Sequence, residues 1–211
     1  MMSDPLAEIS ERQLPLQGGM LNIAEGPNNG PLLFLFHGFT NRWQMFLPIL
    51  PSLLPSWHVV MFDHRGHGGS SRLPQEQDYD AHIFYQDAEA VFGAYCPAGS
   101  TAWMLGHSMG GSMALWLASN HPGQVRAVVT GDTSIDIEKH IGVMNNRRNG
   151  KLFALRRRMA GLPIEDLLRR GVPQGPAQEL HDLDPRVMDK HAVSKVEEFF
   201  KGVRSFHLDE F

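Results

Sequence analysis

The stretch Gly106-His107-Ser108-Met109-Gly110-Gly111 leaves this chain few ways to fold. An apolar run, TAWML at 101–105, leads into it, and a helix-like run, SMALWLASNH at 112–121, leads out. A strand that turns sharply into a helix crowds the positions flanking the turn. Glycine fits there because a Cβ would strike the neighbouring strand or helix. Such a turn lifts the Ser108 hydroxyl to the carboxyl end of a parallel sheet. It also sets the Met109 N–H at a helix N-terminus, facing any oxyanion that forms beside the hydroxyl. A bare G-x-S-x-G fits an idle serine in a glycine-rich turn equally well.

Two upstream segments favour the chemical reading. The run LLFLF at 32–36 has the pattern of a buried strand and ends in His37-Gly38-Phe39-Thr40. A second apolar run, HVVMFD at 58–63, ends in His64-Arg65-Gly66-His67-Gly68-Gly69-Ser70. HG-x-T, D-x-RG-x-G-x-S and G-x-S-x-GG, in that order and each after a strand, resemble the α/β-hydrolase superfamily. The likeness is nearest to its single-domain serine esterase, lactonase and carbon–carbon hydrolase branch, and it covers about Leu14 to Asp132. It implies an acyl-enzyme mechanism on Ser108, with the backbone N–H groups of Phe39 and Met109 as the oxyanion hole. Two such donors matter, because losing one typically costs ~3–4 kcal/mol of transition-state stabilisation. By the same resemblance His37 orders its loop rather than acting as a base. The serine excludes the haloalkane dehalogenase and epoxide hydrolase branches, whose elbow nucleophile is an aspartate.

Composition narrows the setting. At 211 residues and 42% hydrophobic residues the chain is one domain's worth, long enough for a sizeable core. A net charge of −4 gives no global field that favours nucleic acid. The single cysteine, Cys96, cannot form an internal disulfide and reads as a buried thiol in a reducing compartment. No secretory signal or transmembrane-length apolar run is visible, so the expected location is cytoplasmic, with no membrane partner. Asp63, His64 and His67 share one loop, but their spacing matches no zinc pattern. No metal or organic cofactor is implied, and the expected partner is a small-molecule ester or similar carbonyl substrate. Oligomeric state is not legible.

Residues 1–11 read as a frayed tail, and 12–26 as a hairpin turning at Gly18-Gly19. Apolar spacings of three and four between Trp43 and Leu54 mark a helix interrupted by Pro48 and Pro51. Residues 80–96 read as a helix with Phe84, Ala88, Val91 and Phe92 on one face. VRAVVTGD at 125–132 reads as another buried strand. Alternating strand and helix predicts an α/β fold, a doubly wound, mostly parallel sheet, with ligand at the carboxyl ends of its strands. From Thr133 onward only helix-like segments occur, at 141–160, 163–171 and 184–207, the last with Asp184 as N-cap and Pro185 at its first position. The resemblance makes 1–132 a partial hydrolase core and 133–211 a helical cap. The cap's basic residues, Arg147, Arg148, Lys151, Arg156, Arg157, Arg158, Arg169 and Arg170, read as a solvated face rather than as an anion site.

A serine nucleophile needs a base, and in this superfamily the chain order is Ser, Asp or Glu, then His. The usual acid and histidine follow the seventh and eighth strands, which the sequence lacks, so the expectation is a truncated chain without its histidine. Asp132, directly after the sixth strand, is a candidate acid, or else a cap for the GDTS turn. Of the histidines beyond the elbow, none of His121, His140, His181, His191 and His207 is assigned as base. The alternative is a non-catalytic binding or interaction protein on the same scaffold.

Overall fold

The computed structural model describes residues 5–75, 79–133 and 147–188. Among these residues six strands form one mixed sheet: β1 (Ser10–Leu16), β2 (Gly19–Glu25), β3 (Leu32–Phe36), β4 (His58–Phe62), β5 (Ala102–His107) and β6 (Val125–Gly131). Their order across the sheet is β1-β2-β4-β3-β5-β6. The first hairpin is antiparallel and joins β4 antiparallel, while β4, β3, β5 and β6 run parallel. The hairpin turns where expected, with Gly18 at φ +79°, a conformation that a side chain would strain. Its first strand starts earlier than the sequence suggested. Ser10 and Glu11 pair with Glu25 and Ala24, and Pro5–Glu8 forms a 3₁₀ turn, so residues 5–11 are not a frayed tail.

Apolar continuity accounts for the centre of the sheet. All five residues of β3 are buried, because helices or turns cover both faces. On one face lie α2 (Ala81–Tyr95) and α3 (Met109–Asn120), whose Phe92, Ala114 and Leu117 pack with Phe34, Phe36 and Phe62. Asp80 caps α2 by accepting from the Ile83 N–H at 3.3 Å. The other face carries Trp43, Phe46, Leu50 and Leu54 against Leu33, Leu35, Val59 and Met61. The helix expected from Trp43 onward is two short pieces, a 3₁₀ turn at Trp43–Phe46 and the single turn α1 (Leu50–Leu53). Pro48 stands between them and Pro51 sits at the start of α1, where its missing N–H costs nothing. Cys96 is buried, as expected.

β6 departs from the buried strand expected. Only Val125 is fully buried, and Val129 is 60% exposed. Among the described residues β6 pairs on one side only, with β5, so it is the sheet edge. Among the described residues three helices follow it, α4 (Arg147–Met159), α5 (Ile164–Arg169) and α6 (Gln174–Asp182), then a 3₁₀ turn at Pro185–Met188. The sequence reading missed α6, and of its helices at 141–160 and 184–207 the stretches 141–146 and 189–207 lie outside the described residues. Asp184 caps the last turn, its Oδ1 accepting from the Arg186 N–H at 3.0 Å.

That carboxyl also ties the C-terminal turn to the core. Tyr79 donates its hydroxyl to Asp184 Oδ2 at 3.1 Å, and the Arg186 guanidinium pairs with it at 2.8 Å. Burial pushes the Asp184 pKa up, but the Arg186 and Tyr79 hydrogen bonds outweigh burial and hold it below the usual carboxylate range. A depressed folded pKa stabilises above the unfolded value of about 3.9, and that contribution is lost as pH falls through the folded pKa. Asp184→Asn is therefore expected to be less stable than the parent at neutral pH. Urea midpoints taken down a pH series should converge at acid pH.

Candidate active site

Strand register brings the three motifs to one end of the sheet. Phe36, the last residue of β3, lies opposite Gly106 of β5, and Gly106 lies opposite Thr130 of β6. The loop 37–42 and Asp132 therefore leave the sheet on either side of Ser108. Glycine permits this closeness. A Cβ on Gly106 would sit 2.5 Å from the Gly110 carbonyl carbon, and one on Gly110 would sit 2.5 Å from the Phe36 carbonyl carbon. Backbone occupies both spaces, so no side-chain rearrangement could relieve either clash.

Ser108 adopts φ +52°, ψ −118° at the turn itself. Its N–H donates to Gly131 O at 2.8 Å, and Thr133 Oγ1 donates to Ser108 O at 3.0 Å. These bonds pin the strained residue to the end of β6. Among the described residues only one other non-glycine has a positive φ, and it is Asp132, at +53°. Such conformations cost on the order of 1–3 kcal/mol each and concentrate at functional sites. Met109 opens α3, and Phe39 sits in a turn closed by the Asn41 N–H on Gly38 O at 3.0 Å. Both lie at the same end of the sheet as Ser108.

Three histidines near this end, His37, His64 and His67, are occupied with backbone, whereas His107 Nδ1 is buried with no hydrogen-bond partner among the described residues. His37 donates from Nδ1 to Gly38 O at 2.8 Å and accepts the His64 N–H at Nε2, 3.0 Å away. His64 Nε2 returns a bond to His37 O at 3.0 Å. Burial, then the charge of His67, lowers the His64 pKa to about 3, and burial likewise pushes His37 well down. Both rings are neutral braces between the two loops. His67 lies 2.9 Å from Arg65 O and 2.5 Å from Phe39 O through its two ring nitrogens. Both partners only accept, so the pair of contacts favours a protonated ring. Burial pushes the pKa down, against these bonds and the neighbouring Asp63. At the far end of α3, His121 pairs with Glu89, and His181 bonds Leu162 O. Among the described residues no imidazole hydrogen-bonds Ser108 Oγ, and no three His, Cys, Asp or Glu side chains are grouped to hold a metal ion. His140, His191 and His207 lie outside the described residues.

Asp63, the aspartate of the D-x-RG motif, is a hub whose partners the motif did not reveal. Its carboxylate accepts from Trp43 N at 2.8 Å, Gly69 N at 2.9 Å and Asn22 Nδ2 at 3.0 Å. One buried side chain thus fixes the start of the 43–46 turn, the glycine-rich loop and β2. Burial pushes its pKa up, against these three hydrogen bonds. The C-terminal helices reach the same end of the sheet: Arg156, Glu179 and Asp182 contact Thr40, Asn41 and Arg42. Burial raises the Glu179 pKa, opposed by Asn41, Arg42 and Arg156.

A strand-to-helix elbow bearing a strained serine, on a largely parallel sheet with helices on both faces, defines a class. The chain belongs to the α/β-hydrolase fold family, whose model matches residues 31–194. It is 32% identical over 118 residues to a 2-(acetamidomethylene)succinate hydrolase of Mesorhizobium japonicum, covering 56% of this chain and 41% of that protein. To epoxide hydrolase B of Mycobacterium tuberculosis it is 31% identical over 110 residues, 51% of this chain and 30% of the relative. The chain thus spans less than half the length of these curated relatives. A hydrolase structure from Pseudomonas aeruginosa PA01 superposes with a TM-score of 0.63 at 23% identity, covering 90% of this chain and 73% of that one. No helix among the described residues is long and apolar enough to cross a membrane.

Proposed function

We propose that this chain carries the nucleophile of a serine hydrolase acting on a small carboxylic ester, lactone or similar carbonyl compound in the cytoplasm. The observation that carries the reading is the pairing of strained residues, Ser108 and Asp132, at the adjoining carboxyl ends of β5 and β6. Similarity to a 2-(acetamidomethylene)succinate hydrolase and to epoxide hydrolases supports hydrolysis as the reaction class. Ser108 Oγ attacks the carbonyl carbon and gives its proton to a histidine outside the described residues. Asp132 orients that imidazole, and the Phe39 and Met109 N–H groups hold the oxyanion. Collapse of the tetrahedral intermediate expels the leaving group, which takes up the proton. Water, deprotonated by the same imidazole, then releases the acid. The described helices α4, α5 and α6 belong to a cap that excludes bulk water and shapes the substrate site.

A second reading rests on one observation: no described imidazole reaches Ser108 Oγ. On that reading the chain is a binding scaffold whose open β6 edge pairs with another chain. Fluorophosphonate labelling at neutral pH, read by intact mass and peptide mapping, separates the two. The hydrolase reading expects a single adduct on Ser108 that disappears in Ser108→Ala. A folded chain that takes up no adduct, or takes it up equally in Ser108→Ala, overturns that reading.

A further inference from the structure

The contacts between the loop after β3 and the C-terminal helices form a pattern. Three consecutive residues each hold a different partner more than a hundred positions away. Arg156 Nη1 donates to Thr40 Oγ1 at 2.6 Å. Asn41 Nδ2 donates to Glu179 Oε2 at 3.3 Å, and Arg42 Nη1 to Asp182 Oδ2 at 3.0 Å. Gln178 Nε2 donates to both Asp182 oxygens at 3.0 Å, so the carboxylate is held from its own helix as well. The Arg42 and Asp182 side chains are only 22% and 19% exposed, which shields the ion pair from much of the screening that weakens surface pairs. Arg156 is half-buried, while Arg157 and Arg158, beside it in the same basic run, are exposed. The basic stripe is thus not uniformly a solvated face: one of its arginines reaches inward.

The loop is fixed at both ends. His67 binds Phe39 O on one side, and Asp63 binds Trp43 N on the other. Between those anchors, the side chains of 40, 41 and 42 bind elements from the opposite end of the chain. We propose that Thr40–Arg42 and Arg156, Glu179 and Asp182 form a latch, so that seating α4 and α6 sets the position of the Phe39 donor. The three helix residues are positioning residues: none contacts the reacting atoms, and each acts through the loop that carries Phe39. The consequence for the donor rests on the hydrolase reading above, but the coupling of loop to helices does not. Closure over a substrate and assembly of the oxyanion hole then become one event, and an unseated cap leaves the nucleophile poorly supported.

Hydrogen exchange on the full chain tests the coupling without requiring activity. Arg42→Ala and the milder Asp182→Asn are expected to speed amide exchange about tenfold in 38–46 and in 174–184 together, the effect of losing one charge-assisted hydrogen bond. Arg156→Met should do the same, while Arg156→Lys, which keeps a cationic donor for Thr40, should retain most of the protection. Arg169→Ala, at an exposed ion pair with Asp166, should leave both segments unchanged. Exchange that rises in only one segment, or in neither, overturns the latch. In labelling kinetics, Arg42→Ala should lower the limiting rate of phosphonylation while leaving the half-saturating probe concentration unchanged. A rise in that concentration at an unchanged limiting rate overturns the positioning role. Coupled exchange without any Ser108 adduct keeps the latch and removes the hydrolase reading. Ser108 labelling without coupled exchange does the reverse.

Discussion

Gly110→Ala is expected to lower stability by about 3 kcal/mol or more, among the largest effects of any single methyl in this chain. The added Cβ would sit 2.5 Å from the Phe36 carbonyl carbon and 2.7 Å from His37 O. Neither group can rotate away. Phe36 is paired within the sheet, and His37 is braced by two hydrogen bonds to the next loop. Relief would require α3 to lift from β3, opening the packing of Ala114 and Leu117 on Phe34 and Phe36. For a chain of this length, ~3 kcal/mol corresponds to a melting temperature lower by roughly 6–12 °C. Gly93→Ala provides the opposite sign. It lies in α2, is exposed and meets nothing within 4 Å, so alanine should stabilise by about 0.5–1 kcal/mol through helix propensity. Denaturant midpoints of the two variants, measured side by side, check both signs. A loss below about 1 kcal/mol for Gly110→Ala would mean that α3 does not approach β3 this closely.

Much of the fold was legible because its core strands advertise themselves. LLFLF and HVVMF are continuous apolar runs, and the glycines around Ser108 have a steric reason that the structure reproduces atom by atom. What failed to show had no local signature. β1 begins with Ser-Glu-Arg-Gln, a polar run that is a strand only because β2 lies beside it. α6 buries just Ala177 and Leu180, and its Gln-Gly-Pro start reads as a turn. β6 has the composition of an interior strand, and its place at an edge among the described residues followed from the lack of any later strand-like run rather than from its own residues.

Legibility at the candidate site follows the same division. Ser108, Phe39 and Met109 were located by motif, and their neighbourhood follows from register. Asp132 was visible only as a residue after a strand, whereas its positive φ is a property of the folded backbone. Asn22, the partners of Asp63 and the contacts of Thr40–Arg42 escaped because long-range polar partners leave no periodicity behind. The one available signal was the basic run at Arg156–Arg158. Its separation into one half-buried and two exposed arginines depends on which face of α4 meets the loop.

Long-range polar contacts are also where a single substitution does large damage. Arg65 and Asp87 form a buried pair, with side chains 4% and 6% exposed. The guanidinium donates Nε to Asp87 Oδ2 at 2.7 Å and Nη2 to Oδ1 at 2.9 Å. The same Nη2 reaches Gln17 O at 2.7 Å. Arg65 therefore joins the loop after β4, the first hairpin and α2. Burial pushes the Asp87 pKa up and the arginine works against it, so the carboxylate depends on its partner. Asp87→Ala removes the counter-charge but leaves the guanidinium buried, at an expected cost of about 3–5 kcal/mol. The double variant Arg65→Met, Asp87→Leu removes both charges and keeps apolar volume, and it should recover most of that loss. Urea denaturation of the single and double variants measures the difference. If Asp87→Ala and the double variant were equally destabilised, the damage would come from lost packing, not from the stranded charge. With the expected recovery, Arg65 is an ion that the fold tolerates only because Asp87 faces it. The aspartate-arginine-glycine loop beside the candidate site then owes its shape to a partner in α2, outside every motif that marked the site in the sequence.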